Sequence, residues 1–318
     1  MRALVLDREL AFRRDYPDPA ATPGESIVRV EMAGICGTDL EMTRGYMTFR
    51  GVPGHEFVGR VVESARPELS GRRVVGEINA ACGAPTCRWC HAGLGRHCPT
   101  RTVLGILGRD GAFADYLVLP DDNLLAVPDS IPDNLAVFCE PLAAVYEIFE
   151  QTRLEPSESI AILGDGRLGA LIALALGAEG LTPMVGGHHR DKLDRLAALG
   201  VKVSLESELP PGFDVVIDAS GRAAGLKRAL ELVRPRGRLI LKSTAADAAA
   251  LNLAPLVVNE ITVIGSRCGR FAPALDALAA GCLDLAPLVS AVFPLEDGMA
   301  AMRAASDGSN FKVLLRAT

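Results

Sequence analysis

Along the first 140 residues, apolar and polar positions alternate in short runs: 27–32 (IVRVEM), 57–62 (FVGRVV), 72–78 (RRVVGEI) and 116–119 (YLVL). Glycines and prolines separate these runs, and a period of two predicts strands with one buried face. Prolines at 120, 128 and 132 punctuate the exit from this part. From about residue 143 the rhythm changes. A helical stretch at 143–152 leads to an apolar strand at 159–164 (SIAILG), a glycine turn and an Ala/Leu-rich helix at 167–179. Strand 183–186 with helix 191–199, strand 214–219 with helix 224–233, and strands 237–242 and 261–265 follow. Short buried strands alternating with helices predict a parallel sheet covered on both faces, so the fold class is α/β. The last fifty residues predict a helix near 272–280, a strand near 291–293, a helix near 296–306 and a terminal strand at 311–315. That final strand can return to either half. The alanine cluster 245–250 reads as a loop or a short helix.

The chain has 318 residues, which suits two domains. We expect a β-rich domain over 1–142, a dinucleotide-binding domain over 143–269, and a segment over 270–318 that returns to the first. Hydrophobic residues make up 49% and charged residues 23%, an ordinary balance for a globular enzyme. The net charge of −6 excludes a large basic footprint, so no nucleic-acid partner is expected. The amino terminus MRALVLDREL lacks the apolar core of a signal peptide, and no run of about eighteen apolar residues predicts a membrane span. The eight cysteines therefore read as metal ligands and reduced thiols in a cytoplasmic protein.

The fingerprint Gly164-Asp-Gly166-Arg167-Leu168-Gly169 follows an apolar strand and opens an apolar helix. In that setting backbone N–H groups receive a pyrophosphate. A tight strand–helix turn without a ligand is the other reading. An acidic residue ending the second strand would hold the adenosine ribose 2′-hydroxyl. Gly187, His188, His189 and Arg190 stand there instead. Basic groups pair with a 2′-phosphate, which points to NADP over NAD; the two histidines as solvated loop residues are the alternative.

Cys82, Cys87, Cys90 and Cys98 lie within seventeen residues, with spacing C-x4-C-x2-C-x7-C. Four thiolates close a tetrahedral zinc completely, which makes such a site structural. A disulfide pair and a metal-free lobe are the alternatives; His91 and His97 lie close enough in sequence to be spare ligands, but read as surface residues. A catalytic zinc needs about three protein ligands and an open position. Cys36, His55 and Glu140 are candidates, with Glu56 as a second carboxylate, although spacing alone does not assemble them. Cys268 and Cys282 read as buried small apolar residues, and Cys139 points away if Glu140 points in.

These residues together resemble the zinc-containing medium-chain dehydrogenase/reductase family, over essentially the whole chain. The resemblance rests on Gly-Ile-Cys36-Gly-Thr38-Asp39, Gly54-His55-Glu56-Phe-Val-Gly59, the four-cysteine lobe, Glu140-Pro141-Leu142-Ala143, the fingerprint, Gly265-Ser-Arg and Lys312-Val. The Glu-Pro, and Glu41 where other members place a relay histidine, are nearest the polyol and glucose dehydrogenase branch. Two features depart from the family pattern: two extra residues between Cys82 and Cys87, and a shorter chain.

The resemblance implies a GroES-like domain, split in sequence, around a Rossmann domain, in dimers or tetramers. It implies a catalytic zinc on Cys36, His55 and Glu140, with Glu56 exchanging. The zinc, as Lewis acid, would polarise an alcohol, polyol or sugar hydroxyl, and the carbon would lose hydride to NAD(P). The Thr38 hydroxyl is the first proton station, or else it satisfies a turn backbone. The rival functions are a zinc-independent reductase of activated double bonds or carbonyls and a non-catalytic binding protein.

Overall fold

In the computed structural model, which describes residues 1–244 and 252–317, the period-two runs of the first part form strands. The alanine cluster 245–250 lies outside the described residues. By contacts the chain divides into two units. One comprises 1–140, 270–281 and 286–318; the other comprises 141–269 and 282–285.

The first unit is built on a seven-stranded sheet. Strand Glu25–Gly34 is its hub, antiparallel to Glu56–Glu63, to Tyr116–Pro120 and to the terminal strand Lys312–Arg316. Alternate residues of Glu25–Gly34 are buried, which is why Val28 and Val30 join Val58, Val61, Leu117 and Leu119 in the core. Arg73–Gly76 and Leu124–Ala126 extend one side. On the other, Val289–Pro294 runs parallel to Lys312–Arg316. A hairpin, Ala3–Leu6 with Leu10–Arg13, and a small three-stranded sheet stand beside it. The hairpin, with four residues in each arm, is not among the strands the sequence predicts.

The second unit holds a six-stranded sheet with the order Lys202–Leu205, Met184–Gly187, Ile160–Leu163, Phe213–Asp218, Val233–Leu241, Thr262–Gly265, all parallel. Numbered along this unit, the order is 3-2-1-4-5-6, the doubly wound arrangement whose ligand crevice opens where the order reverses. Ile160–Leu163 is buried at every residue, as a central parallel strand should be. The strand Lys202–Leu205 is not evident in the sequence: it lies at the sheet edge, half-exposed, and has too few apolar residues to announce itself. The helix expected from 143 begins earlier, at Cys139. Pro141 sits in its first turn, where a missing N–H costs nothing.

Candidate active site

Three strand ends meet in the first unit. Gly34 pairs with Glu56 on one neighbouring strand and with Leu314 on the other, which sets Glu56 and Lys312 near the same point. Lys312 Nζ donates to Glu56 Oε2 at 2.5 Å, and both side chains are almost fully buried. Gly34 makes this possible, because a Cβ there would run into the Glu56 carboxylate and lie 2.8 Å from Val137.

Cys36 follows two residues later and caps the short helix Gly37–Met42. Its N–H donates to Asp39 Oδ2 at 2.8 Å, and the Gly54 N–H donates to Asp39 Oδ1 at 3.2 Å. The same Oδ1 stands 3.3 Å from His55 Nδ1. Asp39, wholly buried, thus ties the Cys36 turn to the His55 turn. Thr38 is partly exposed, with its hydroxyl 3.9 Å from the Cys36 thiol. In the sequence, Asp39 and Lys312 stand out only as parts of motifs. An acid three residues after the cysteine, at the third helical position, is the available signal for Asp39. Nothing local signals Lys312.

The charges here are unbalanced. His55 Nδ1 and Glu56 Oε1 are buried without a well-formed hydrogen bond. Burial opposes a charged His55, yet Asp39 and then Cys36 outweigh it, so its pKa rises well above the ordinary imidazole value. Burial foremost lifts Glu140 to about 7; Glu56 and Asp39 add to this, and His55 and Lys312 oppose it. Glu140 therefore shares one electrostatic neighbourhood with His55 and Glu56. A thiol, an imidazole and two crowded carboxylates, with orphaned polar atoms among them, fit a dication. Their donors are not yet mutually close. Among the described residues, the group of donors that all lie within 4.8 Å of one another is Cys82, Cys87, Cys90 and Cys98.

In that lobe Cys82 and Cys90 thiols lie 3.7 Å apart, and Cys87 and Cys98 thiols 3.9 Å. The two extra residues before Cys87 do not keep the sulfurs apart. Hydrogen bonds, first from Thr100, lower the Cys98 pKa, whereas burial and then the neighbouring thiols raise that of Cys90. Four thiols so close cannot all ionise without a cation, which fits a closed zinc site. All eight cysteines are free of disulfides; Cys282 is exposed and Cys268 half-buried, which corrects the expectation that both are buried.

In the second unit, Gly164, Asp165 and Gly166 leave strand Ile160–Leu163, and Gly166 caps the helix Arg167–Ala178 with no side-chain cap. Leu168 and Gly169 lie in its first turn. A Cβ on Gly166 would meet nothing within 4 Å, so there is open space beside this helix start. The turn fits a dinucleotide pyrophosphate. His188 and His189 follow the second strand, and Arg190 opens the exposed start of helix Arg190–Ala198. Each histidine already faces a carboxylate: His188 Nε2 is 3.2 Å from Glu206, and His189 Nδ1 is 3.0 Å from Asp165. The sequence alone assigns Asp165 no role. Its signal is an acid inside the glycine turn opposite a strand that ends in two glycines.

A 3-2-1-4-5-6 parallel sheet with an open glycine turn is the arrangement of a dinucleotide-binding unit, and the same chain carries a second unit with cation-ready donors. Residues 22–129 match the model of the alcohol dehydrogenase GroES-like domain, and residues 166–280 match that of zinc-binding dehydrogenase. An L-threonine 3-dehydrogenase of Chelativorans sp. (strain BNC1) is 30% identical, with 97% of each chain covered. An alcohol dehydrogenase (rspB) from E. coli CFT073, solved with NADH, has a TM-score of 0.89 at 25% identity, with 99% of each chain covered. A zinc-binding dehydrogenase from Sinorhizobium meliloti 1021, solved with NADP, has a TM-score of 0.89 at 26% identity, covering 99% of this chain and 98% of that one. The chain belongs to the zinc-containing medium-chain dehydrogenase/reductase family. Its two matched domains are those of a zinc-type dehydrogenase. Among the described residues, no helix is long and apolar enough to cross a membrane.

Proposed function

We propose that Cys36, His55 and Glu140 hold the catalytic zinc, with Glu56 as an exchanging carboxylate, and that the substrate is an alcohol, polyol or sugar. The observation that carries this reading is the buried, charge-unbalanced set around Asp39, in which His55 Nδ1 and Glu56 Oε1 lack good partners. When bound, the zinc would act as a Lewis acid on the substrate hydroxyl, and the nicotinamide ring would take the hydride from its carbon. The protein's own groups orient and move the proton. Asp39 fixes the His55 ring and the Cys36 turn; Lys312 holds one oxygen of Glu56 and leaves the other free. The Thr38 hydroxyl, beside the Cys36 thiol, takes the hydroxyl proton and passes it outward. The alcohol leaves as a carbonyl compound, with one hydride on the cofactor and one proton released.

The four-cysteine lobe holds a second, structural zinc and does no chemistry. Residues 1–142 with 270–318 form the catalytic domain, and 143–269 the dinucleotide-binding domain. For the cofactor, NADP is supported by Arg190, exposed at the helix start where a 2′-phosphate would arrive. NAD is supported by the carboxylates that already face both histidines. We place the enzyme in the cytoplasm, which suits eight cysteines that form no disulfide. We also take it to be a homodimer or homotetramer. Exposed Val257, Val258 and Val263, near and on the sheet-edge strand Thr262–Gly265, support a contact between copies.

An activity screen of alcohols, polyols and aldoses with both cofactors, run alongside zinc analysis, tests the reading. Hydride transfer that needs zinc and fails in Cys36→Ala supports it. Full activity in Cys36→Ala, or a native protein active without zinc, overturns it in favour of the zinc-independent reductase.

A further inference from the structure

The second strand, Met184–Gly187, ends without the acid that would receive the adenosine ribose. The volume is not empty. A Cβ built on Gly187 would lie 2.5 Å from Asp165 Cβ and 2.5 Å from Asp165 Oδ2, so the Asp165 side chain fills the place beside the strand end. It reaches there from the glycine turn. Its Oδ2 accepts the N–H of His188 at 2.8 Å and of His189 at 2.7 Å. Two successive N–H groups converging on one oxygen make an anion nest, and here an internal carboxylate occupies it.

We propose that Asp165 supplies, from the glycine turn, the carboxylate that the second strand lacks, and so selects the ribose 2′-hydroxyl of NAD against the 2′-phosphate of NADP. This rests on the dinucleotide reading of the turn and reverses the NADP expectation drawn from His188, His189 and Arg190. Among the described residues, the hydrogen-bond partner of Oδ1 is the His189 ring, at 3.1 Å, which leaves capacity to accept a ribose hydroxyl. A phosphate at the same point would meet a like charge and find the nest already filled. Burial works against the charge, but the His189 and His188 contacts outweigh it and lower the Asp165 pKa. The His189 imidazole, half-exposed, braces the carboxylate and does not reach for a phosphate alone.

The test is a fluorescence titration of the zinc-loaded enzyme with NADH and with NADPH, for the native chain, Asp165→Asn and Asp165→Ser. The native chain should bind NADH about tenfold or more tightly than NADPH, a gap of about 1.4 kcal/mol. Both variants should narrow that ratio by about tenfold, mainly through tighter NADPH binding. If Asp165→Ser does not fold, the isosteric Asp165→Asn decides. Native preference for NADPH, or an unchanged ratio in a folded variant, overturns the role of Asp165. Binding of neither nucleotide by the native chain instead overturns the dinucleotide reading on which it rests.

Discussion

Lys312 and Glu56, 256 positions apart in sequence, form a buried ion pair at 2.5 Å beside the candidate zinc ligands. Removing one partner of such a pair strands the other charge, which typically costs about 3–5 kcal/mol. Lys312→Met should lower stability by about that amount, and adding Glu56→Gln should recover most of it. Denaturant unfolding of the zinc-loaded variants measures both. If the double variant is no more stable than Lys312→Met, an unpaired Glu56 is not the cause.

Asp39 links the two turns that carry Cys36 and His55, through bonds from the Cys36 and Gly54 N–H groups and its approach to His55 Nδ1. Groups that orient a metal-binding histidine typically contribute about 10–100-fold in metal affinity. Asp39→Asn keeps the shape, and its amide oxygen can still accept an N–H. We expect zinc affinity to fall by about tenfold or more with the fold retained. Competition with a chromogenic chelator reads it directly. Unchanged affinity would assign Asp39 to the helix cap alone.

How much of the fold and site is legible in the sequence depends on distance along the chain. Cys82 to Cys98 announce themselves because ligands within one loop are close whatever the tertiary fold. The turn at Gly164–Gly169 is legible from its context between an apolar strand and an apolar helix. Cys36, His55 and Glu140 can be named as residue types, but only the pairing of Glu25–Gly34 with Glu56–Glu63 brings the first two together. Lys312 is placed by the pairing of the terminal strand with Glu25–Gly34, which no local pattern encodes. Asp165 is hidden for a related reason. The ribose-binding acid is expected on the second strand, whereas the glycines there leave room for one that arrives from another turn.

The two cysteine-bearing sites should separate by zinc content and by consequence. Cys36→Ala should lose about half of the bound zinc and nearly all hydride transfer, with little change in melting temperature. Cys90→Ser should also lose about half of the zinc, but lower the melting temperature while leaving folded enzyme active, because a closed site contributes folding energy only. Metal analysis with thermal melts distinguishes them. A Cys90→Ser protein that is stable yet inactive would reverse the assignment of structural and catalytic roles.

Asp214 offers a pH test away from either cysteine-bearing site. Its Oδ2 accepts the Ser159 hydroxyl at 2.7 Å and the Ser159 N–H at 2.8 Å, and Oδ1 accepts Arg234 Nε at 2.6 Å. The Ser159 hydroxyl first, then Arg234, lower its pKa from 3.8 to about 2. A carboxylate held lower in the folded state stabilises the fold fully above the unfolded value, and that contribution disappears as pH falls through the folded one. A tenfold gain in acidity is equivalent to about 1.4 kcal/mol, and partial exposure reduces the total, so about 1–2 kcal/mol is at stake. Asp214→Asn should therefore lower the denaturation midpoint at pH 7, and the gap from the native chain should shrink between about pH 4 and pH 2. A gap that stays constant over that window would mean the loss comes from geometry and not from the charge.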